Sequence, residues 1–334
     1  KCKNHLMREK EIKKIGITTG DVNGIGAEIT IKALNKMNLS PDKVLLISNK
    51  DVLNFYGELN TDYEIEEIPF DKNNILPGNV TSESGEFSFA SLKRACELAK
   101  SGKISAIVTA PVAKIAMHMA GHIYNGQTEV LQHFLAHNNQ KAEMLFVAND
   151  FRVLLLTRHV ALKDIKITRE MLLEKISFLN EFFKYKFKIQ NPKFALCALN
   201  PHAGEKGIMG DEEQDTIIPA MEELRAKGID ITNPLPSDTL FIDAAKNYFS
   251  TIQTHNLSTF QPSTNYDCYV AMYHDQGLIP IKTVAAEKTV NMTIGLDVIR
   301  TSPSHGTAFD IAGKNIASES SMIEAIKEDI RVLE

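Results

Sequence analysis

In Tyr273-His274-Asp275-Gln276-Gly277-Leu278-Ile279-Pro280-Ile281-Lys282 a histidine, an acid and a lysine follow Tyr269-Val270-Ala271-Met272, an apolar run that reads as a buried strand. The three polar residues are therefore expected where a strand ends and a loop begins, the place where open α/β sheets keep their chemistry. One such histidine is most often only a hydrogen-bonded core residue, but two more occupy equivalent places. His159 closes the run Val153-Leu154-Leu155-Leu156-Thr157-Arg158, and His202 follows Phe194-Ala195-Leu196-Cys197-Ala198-Leu199 in Asn200-Pro201-His202-Ala203-Gly204-Glu205. Three strand-end imidazoles can converge on one ion. Three nitrogen ligands with further positions open are the pattern of a catalytic metal site, whereas structural zinc sites are closed and cysteine-rich.

The elements that must position these residues alternate. Ile15 to Glu28 reads as strand, glycine loop and helix start, yet GxGxxG would need glycine at Ile29, so the usual dinucleotide fingerprint fails. Val44-Leu45-Leu46-Ile47-Ser48 is a second strand, Ser88 to Ser101 a helix, Ile104 to Lys114 a third strand leaving toward a helix, and Thr168 to Lys184 an amphipathic helix. Such alternation predicts a largely parallel α/β sheet. Gly126-Gln127-Thr128-Glu129-Val130 opens a helix with Thr128 as its expected N-cap, and a helix N-terminus offers backbone N–H groups to an anion. His118/His122 and His133/His137 have the HxxxH spacing that can hold zinc if both stretches are helical, but they lack the glutamate of HExxH. The polar loop Gly204 to Glu213 is expected to wall the cleft beside His202.

A length of 334 residues suits two domains. The hydrophobic content of 43% and charged content of 24% are those of a soluble globular protein, and a net charge of −5 argues against a nucleic-acid partner. Four cysteines without CxxC spacing fit reduced thiols in a cytoplasm. Lys1 to Lys14 carries no apolar signal core, and no apolar run approaches the roughly 20 residues needed to span a bilayer, so no membrane partner is expected.

Three blocks carry a specific resemblance. Leu199-Asn200-Pro201-His202-Ala203-Gly204-Glu205, Ala271-Met272-Tyr273-His274-Asp275-Gln276-Gly277 and Val290-Asn291-Met292-Thr293-Ile294-Gly295-Leu296 are similar to signature blocks of the 4-hydroxythreonine-4-phosphate dehydrogenase family of the vitamin B6 pathway, with the likeness running from about Ile15 to Lys314. Near the N-terminus, Gly20-Asp21-Val22-Asn23-Gly24-Ile25-Gly26-Ala27-Glu28 resembles the GDGIGPE block of isocitrate and isopropylmalate dehydrogenases with two residues inserted. Ser304 to Lys314 resembles their adenosine-binding loop. The resemblance implies a two-domain isocitrate/isopropylmalate dehydrogenase-like α/β fold with a largely parallel sheet and an interdomain active-site cleft. A dinucleotide domain would be built from both termini (15–125 with 285–334), and a metal, substrate and dimerisation domain from 126–284.

The same resemblance assigns roles. A divalent metal, zinc, magnesium or cobalt, would sit on His159, His202 and His274. Substrate would be held by Gln127, Thr128, Lys282, Asn291 and Arg300, the last three at equal nine-residue intervals. NAD or NADP would meet His305, Gly306, Thr307, Ala308 and Asp310. Asp275, Asp238 and Lys282 are the candidates for proton transfer. Gln127 departs from the family, which has histidine there. The implied activity is oxidation of 4-phosphooxy-L-threonine, with 4-phospho-D-threonate or 4-phospho-D-erythronate as the alternative substrate. The implied assembly is a homodimer with its active site shared between subunits, His159 and His202 from one chain and His274 from the other. The stretch 242–268 is longer than the family usually has and is expected to form an ordered excursion.

Overall fold

Continuous apolar runs become strands buried on both faces, because helices cover each side of a parallel sheet. The computed structural model describes residues 14–138, 140–252 and 265–334. The chain divides into two compact units, Lys1–Asn139 with Asp297–Glu334, and Gln140–Leu296. In the first unit β1 (Ile15–Thr18), β2 (Val44–Ser48), β3 (Glu64–Glu67), β4 (Ala106–Thr109) and β11 (Ile299–Pro303) lie in the order β3-β2-β1-β4-β11, every neighbouring pair parallel. Helices α1 (Gly26–Met37) and α10 (Ser320–Leu333) pack together, and α10 also lies on β4 and β11. Helix α3 (Ser82–Lys100) lies on β1, β2 and β4 and packs against α4 (Lys114–Met119) and α5 (Gln127–Leu135). The short α2 (Lys50–Tyr56) packs on α1 and is capped by Asn49, whose side chain accepts from the N–H groups of Asp51 and Val52.

In the second unit β10 (Val290–Ile294), β5 (Glu143–Ala148), β6 (Phe151–Leu155), β9 (Cys268–Ala271), β7 (Lys193–Leu196) and β8 (Asp230–Ile231) follow one another across the sheet. β5 pairs antiparallel with both β10 and β6, and the rest run parallel. Alternate residues serve opposite faces. Phe151, Val153 and Leu155 of β6, with Tyr269 and Ala271 of β9, join a core with Leu240, Phe241 and Ala244 of α8 (Ser237–Ile252) and Leu278 and Ile281 of α9 (His274–Ala285). Arg152 points the other way, its guanidinium 5.1 Å from the centre of the Phe187 ring and 5.9 Å from that of Phe183 in α6 (Arg169–Tyr185). Thr168 caps α6, and α7 (Ile218–Ala226) packs against it.

Several local expectations are revised. His274, Asp275 and Lys282 lie on α9 rather than in a loop, since Leu278, Ile281 and Ala285 recur at helical spacing and α9 runs through Pro280. Asp238 stands in the first turn of α8. Gly126, not Thr128, is the N-cap of α5, and Thr128 is already helical. Neither HxxxH pair shares a helical face, because α4 ends at Met119 before His122 and α5 ends at Leu135 before His137. His122 instead stacks on Phe89 and meets Glu86. Of the excursion expected over 242–268, α8 occupies the stretch to Ile252, and 253–264 lie outside the described residues. Among the described residues no helix is long and apolar enough to cross a membrane, and Cys96, Cys197 and Cys268 are free thiols that burial pushes up to about 12.

Candidate functional site

The parallel register Leu155↔Ala271 brings the ends of β6 and β9 to the same level. The ladder continues past both strands, with Leu156 N–H donating to Ala271 O, and both the N–H and the hydroxyl of Thr157 donating to Met272 O, the hydroxyl at 2.7 Å. This continuation holds the two following segments side by side. As a result the His159 and His274 rings stand with centroids 5.6 Å apart. Both line a cavity of about 350 Å³ with Arg158, Tyr273 and Asp275. Asp275 Oδ1 lies 2.7 Å from His274 Nδ1, the kind of carboxylate contact that fixes a ligating imidazole and leaves Nε2 for an ion. Within one chain these two rings are therefore neighbours.

A second cavity, of about 320 Å³, adjoins it through Tyr273 and is lined by Asn200, His202, Ser237, Asp238 and Gln276. Its wall is set by Gln276 and Glu213, to which the sequence assigned no individual contact. Gln276 donates to Ala198 O at 2.7 Å and to Ser237 Oγ at 2.8 Å while accepting from Met272 N–H at 2.7 Å, so one side chain ties α9 to the ends of β7 and β9 and to the start of α8. Glu213 is fully buried and accepts from the N–H groups of Leu199 and Asn200 at 2.9 and 2.8 Å and from the Asn200 amide at 2.9 Å. Those bonds hold a run in which His202, Ala203, Gly204, Glu205 and Lys206 all have positive φ, a conformation L-residues rarely adopt without such support. His202 itself is exposed, with Nδ1 3.8 Å from Glu205.

The donors suit a divalent ion. Imidazole is the commonest metal-ligating side chain, and His274 is already oriented by a carboxylate. His159 and His274 form the pair, and His202 lines the neighbouring cavity. Among the described residues no group of three His, Cys, Asp or Glu side chains is gathered about one point.

The residues expected to hold substrate fall in both units. Lys282 sits in the last turn of α9, half-buried, and burial holds its ammonium below the ordinary lysine range. Asn291 is on β10 with a buried Oδ1 that has no hydrogen-bond partner among the described residues. Arg300 is on β11 and 3% exposed; its Nε donates to Thr109 Oγ1 and its Nη2 to Gln127 Oε1, each at 2.8 Å. Burial pushes the guanidinium down to about 10 against the opposing pull of Asp329 and Glu129. Thr128 is buried in the first turn of α5. The first unit therefore groups Gln127, Thr128 and Arg300, and the second holds Lys282 and Asn291.

The two glycine-bearing blocks meet in the first unit. Ile25 N–H donates to Thr307 O at 3.0 Å, and a Cβ on Gly24 would stand 3.0 Å from both Thr307 O and Thr307 Cβ. Glu28 accepts from Ala317 N–H at 2.8 Å, and Lys32 donates to the carbonyls of Asn315 and Ala317. His305, Gly306 and Asp310 are exposed, Thr307 and Ala308 half-buried. A Cβ at Gly306 would meet nothing within 4 Å, which leaves its face open to a ligand.

The fold is a largely parallel α/β sheet with imidazoles beyond its strand ends, and relatives supply the family. The profile described as Pyridoxal phosphate biosynthetic protein PdxA matches residues 17–328, and the chain belongs to that family. It is 38% identical over 332 residues to 4-hydroxythreonine-4-phosphate dehydrogenase of Sulfurihydrogenibium sp. (strain YO3AOP1), covering 94% of this chain and 96% of the relative. It is 37% identical over 336 residues to D-threonate 4-phosphate dehydrogenase of Cupriavidus necator, covering 94% and 95%. The crystal structure of 4-hydroxythreonine-4-phosphate dehydrogenase from Klebsiella pneumoniae superposes with a TM-score of 0.81 at 33% identity, covering 96% of this chain and 98% of that one.

Proposed function

We propose that this protein is an oxidoreductase that uses NAD or NADP and a divalent metal to oxidise 4-phosphooxy-L-threonine, whose 3-keto acid product loses carbon dioxide to give 3-amino-2-oxopropyl phosphate in pyridoxal phosphate biosynthesis. The observation that carries the reading is the His159–His274 pair with Asp275 on the second ring, at a strand-end cavity of a chain that belongs to this family. His159, His202 and His274 would hold the ion. When bound, it supplies Lewis acidity that stabilises negative charge on the substrate's hydroxyl oxygen and, after oxidation, on the ketone.

The chain's own side chains do the rest. Asp275 orients the His274 ring, so Asp238, exposed beside His202, is the better placed of the two acids to take the hydroxyl proton. Arg300, Lys282 and Thr128 bind the phosphate and carboxylate, Arg300 by its planar fork and Lys282 as a partly desolvated point charge. Gln127 and the unpartnered amide oxygen of Asn291 add polar contacts. The loop His305 to Asp310 takes the adenosine end of the dinucleotide, with Gly306 permitting close backbone approach. Two copies form the working enzyme, with the active site shared between them. The exposed Ile242 and Phe249 of α8 and Ile279 of α9 are apolar side chains that pairing would cover, and sedimentation at twice the chain mass tests it.

The second reading keeps the chemistry and changes the substrate to 4-phospho-D-threonate or 4-phospho-D-erythronate. It draws on the Cupriavidus necator relative and on Gln127, which stands where the family resemblance expects histidine. Appearance of NADH absorbance with 4-phosphooxy-L-threonine, and its absence with the two hydroxy acid phosphates, is the expected result. The reverse ranking installs the second reading, and no reduction of dinucleotide with any of the three removes both.

A further inference from the structure

We infer that Arg158 is a further substrate-binding residue, one that takes the substrate's carboxylate beside the ion on His159 and His274. The inference rests on the proposed activity and holds for each of its candidate substrates, since all of them carry a carboxylate. Arg158 is half-buried and lines the same cavity of about 350 Å³ as the two imidazoles. The backbone on both sides of it is fixed. Before it, Thr157 is tied to Met272 O by its N–H at 3.2 Å and its hydroxyl at 2.7 Å. After it, Val160 N–H donates back to Arg158 O at 3.0 Å, closing a γ-turn on His159. Cation and imidazole stand on adjacent residues of one anchored turn, so both reach the same cavity.

The cavity has the charge for an anion. Asp275 is the one carboxylate among its described lining residues, and its Oδ1 lies on His274 Nδ1 at 2.7 Å. No acid among the described residues forms an ion pair with Arg158. Val160, Ala161, Leu162 and Ile165 complete much of the lining and offer an anion no charge of their own. A half-buried guanidinium without a carboxylate partner is complementary to an anion that a ligand brings, and its planar fork matches the two oxygens of a carboxylate. The carboxylate suits this place better than the phosphate does, because along the substrate's own chain it lies nearer to the hydroxyl that meets the ion.

The test uses the full-length protein loaded with zinc, and reads binding by calorimetry as well as turnover. The probes are 4-hydroxy-L-threonine, which has the carboxylate and no phosphate, and glycerol 1-phosphate, which has the phosphate and no carboxylate. Arg158→Gln should weaken 4-hydroxy-L-threonine about tenfold or more, the ratio that goes with losing hydrogen bonds to a charged group, and change glycerol 1-phosphate less than about twofold. KM for 4-phosphooxy-L-threonine should rise by a factor similar to the first. Arg158→Lys keeps the charge without the fork, so it should recover part of the lost affinity, and it keeps the inference testable if Arg158→Gln fails to fold. Zinc should bind Arg158→Gln as tightly as wild type or more so, because the substitution removes a cation beside the ion. Weaker zinc binding overturns the inference by showing that Arg158 supports the metal site instead. An unchanged KM or an unchanged affinity for 4-hydroxy-L-threonine also overturns it, as does a loss that falls on glycerol 1-phosphate. If the wild type binds neither probe and reduces no dinucleotide with any candidate substrate, the proposed activity fails first.

Discussion

Asp21→Asn should stabilise the protein at neutral pH and do nothing for it in acid. Asp21 is fully buried in the glycine loop after β1. Burial raises its carboxyl from 3.8 to about 6, even though Asn23 N–H at 2.9 Å, the Ser84 hydroxyl at 3.2 Å and the backbone at Ala113 all favour the charged form. Because the folded pKa lies above the unfolded one, the native state takes up a proton between about pH 4 and 6. The group's contribution to stability is complete below the unfolded value and is lost as pH rises through the folded value. At 1.36 kcal/mol per pH unit the ionised side chain costs the folded state about 3 kcal/mol above pH 6. Asparagine keeps an acceptor for Asn23 N–H and carries no charge, so the variant should gain about that much on wild type at pH 8 and little at pH 4. Chemical denaturation of both proteins at unit steps of pH measures the difference, in which every other titrating group is common to the two. A difference that is flat with pH, or that grows toward acid, refutes the reasoning.

Other outcomes follow from the site and its supports. Exhaustive dialysis against a chelator should abolish turnover while leaving the unfolding transition nearly in place, since His159 and His202 are exposed; undiminished turnover in metal-free protein counts against the ion. Gly306→Val should leave the fold intact, because a Cβ there meets nothing within 4 Å, yet weaken NAD in a fluorescence titration; unchanged affinity removes the loop from the dinucleotide site. Gly85→Ala should cost about 3 kcal/mol or more, as its Cβ would lie 2.0 Å from Ala116 O in the seam between α3 and α4; an unshifted urea midpoint would show that the seam can open.

The strands that place the histidines were legible because each is a short apolar run bounded by polar residues, and β2, read as Val44 to Ser48, has those limits in the structure. Helix α9 was not. Its first turn is His-Asp-Gln-Gly, and Pro280 interrupts the apolar spacing, so local pattern favoured a loop; burial of Leu278 and Ile281 against β6 and β9 overrides both. Thr128 was misread as a cap because its residue type suits that position, whereas Gly126, with no capping side chain, occupies it. The helical condition on the HxxxH pairs failed for a similar reason, since spacing within the chain carries no information about where a helix stops.

The parts of the site that escaped the sequence share one physical property, which is distance along the chain. Gln276 meets Ala198 across 78 positions, and Arg300 meets Gln127 across 173. No periodicity or spacing rule reaches that far, so the bonds that Gln276 and Glu213 make were not legible in the signature block and the polar loop that carry them. The structure shows why neither is exchangeable. Glu213 satisfies two backbone N–H groups of the His202 loop in a place water does not reach, and removing its carboxylate would leave both donors buried and unpaired at about 1–3 kcal/mol each. A histidine can be picked out from sequence because its chemistry is its own. The residues that aim it are visible only once the chain has folded, because their role is a geometric relation between segments.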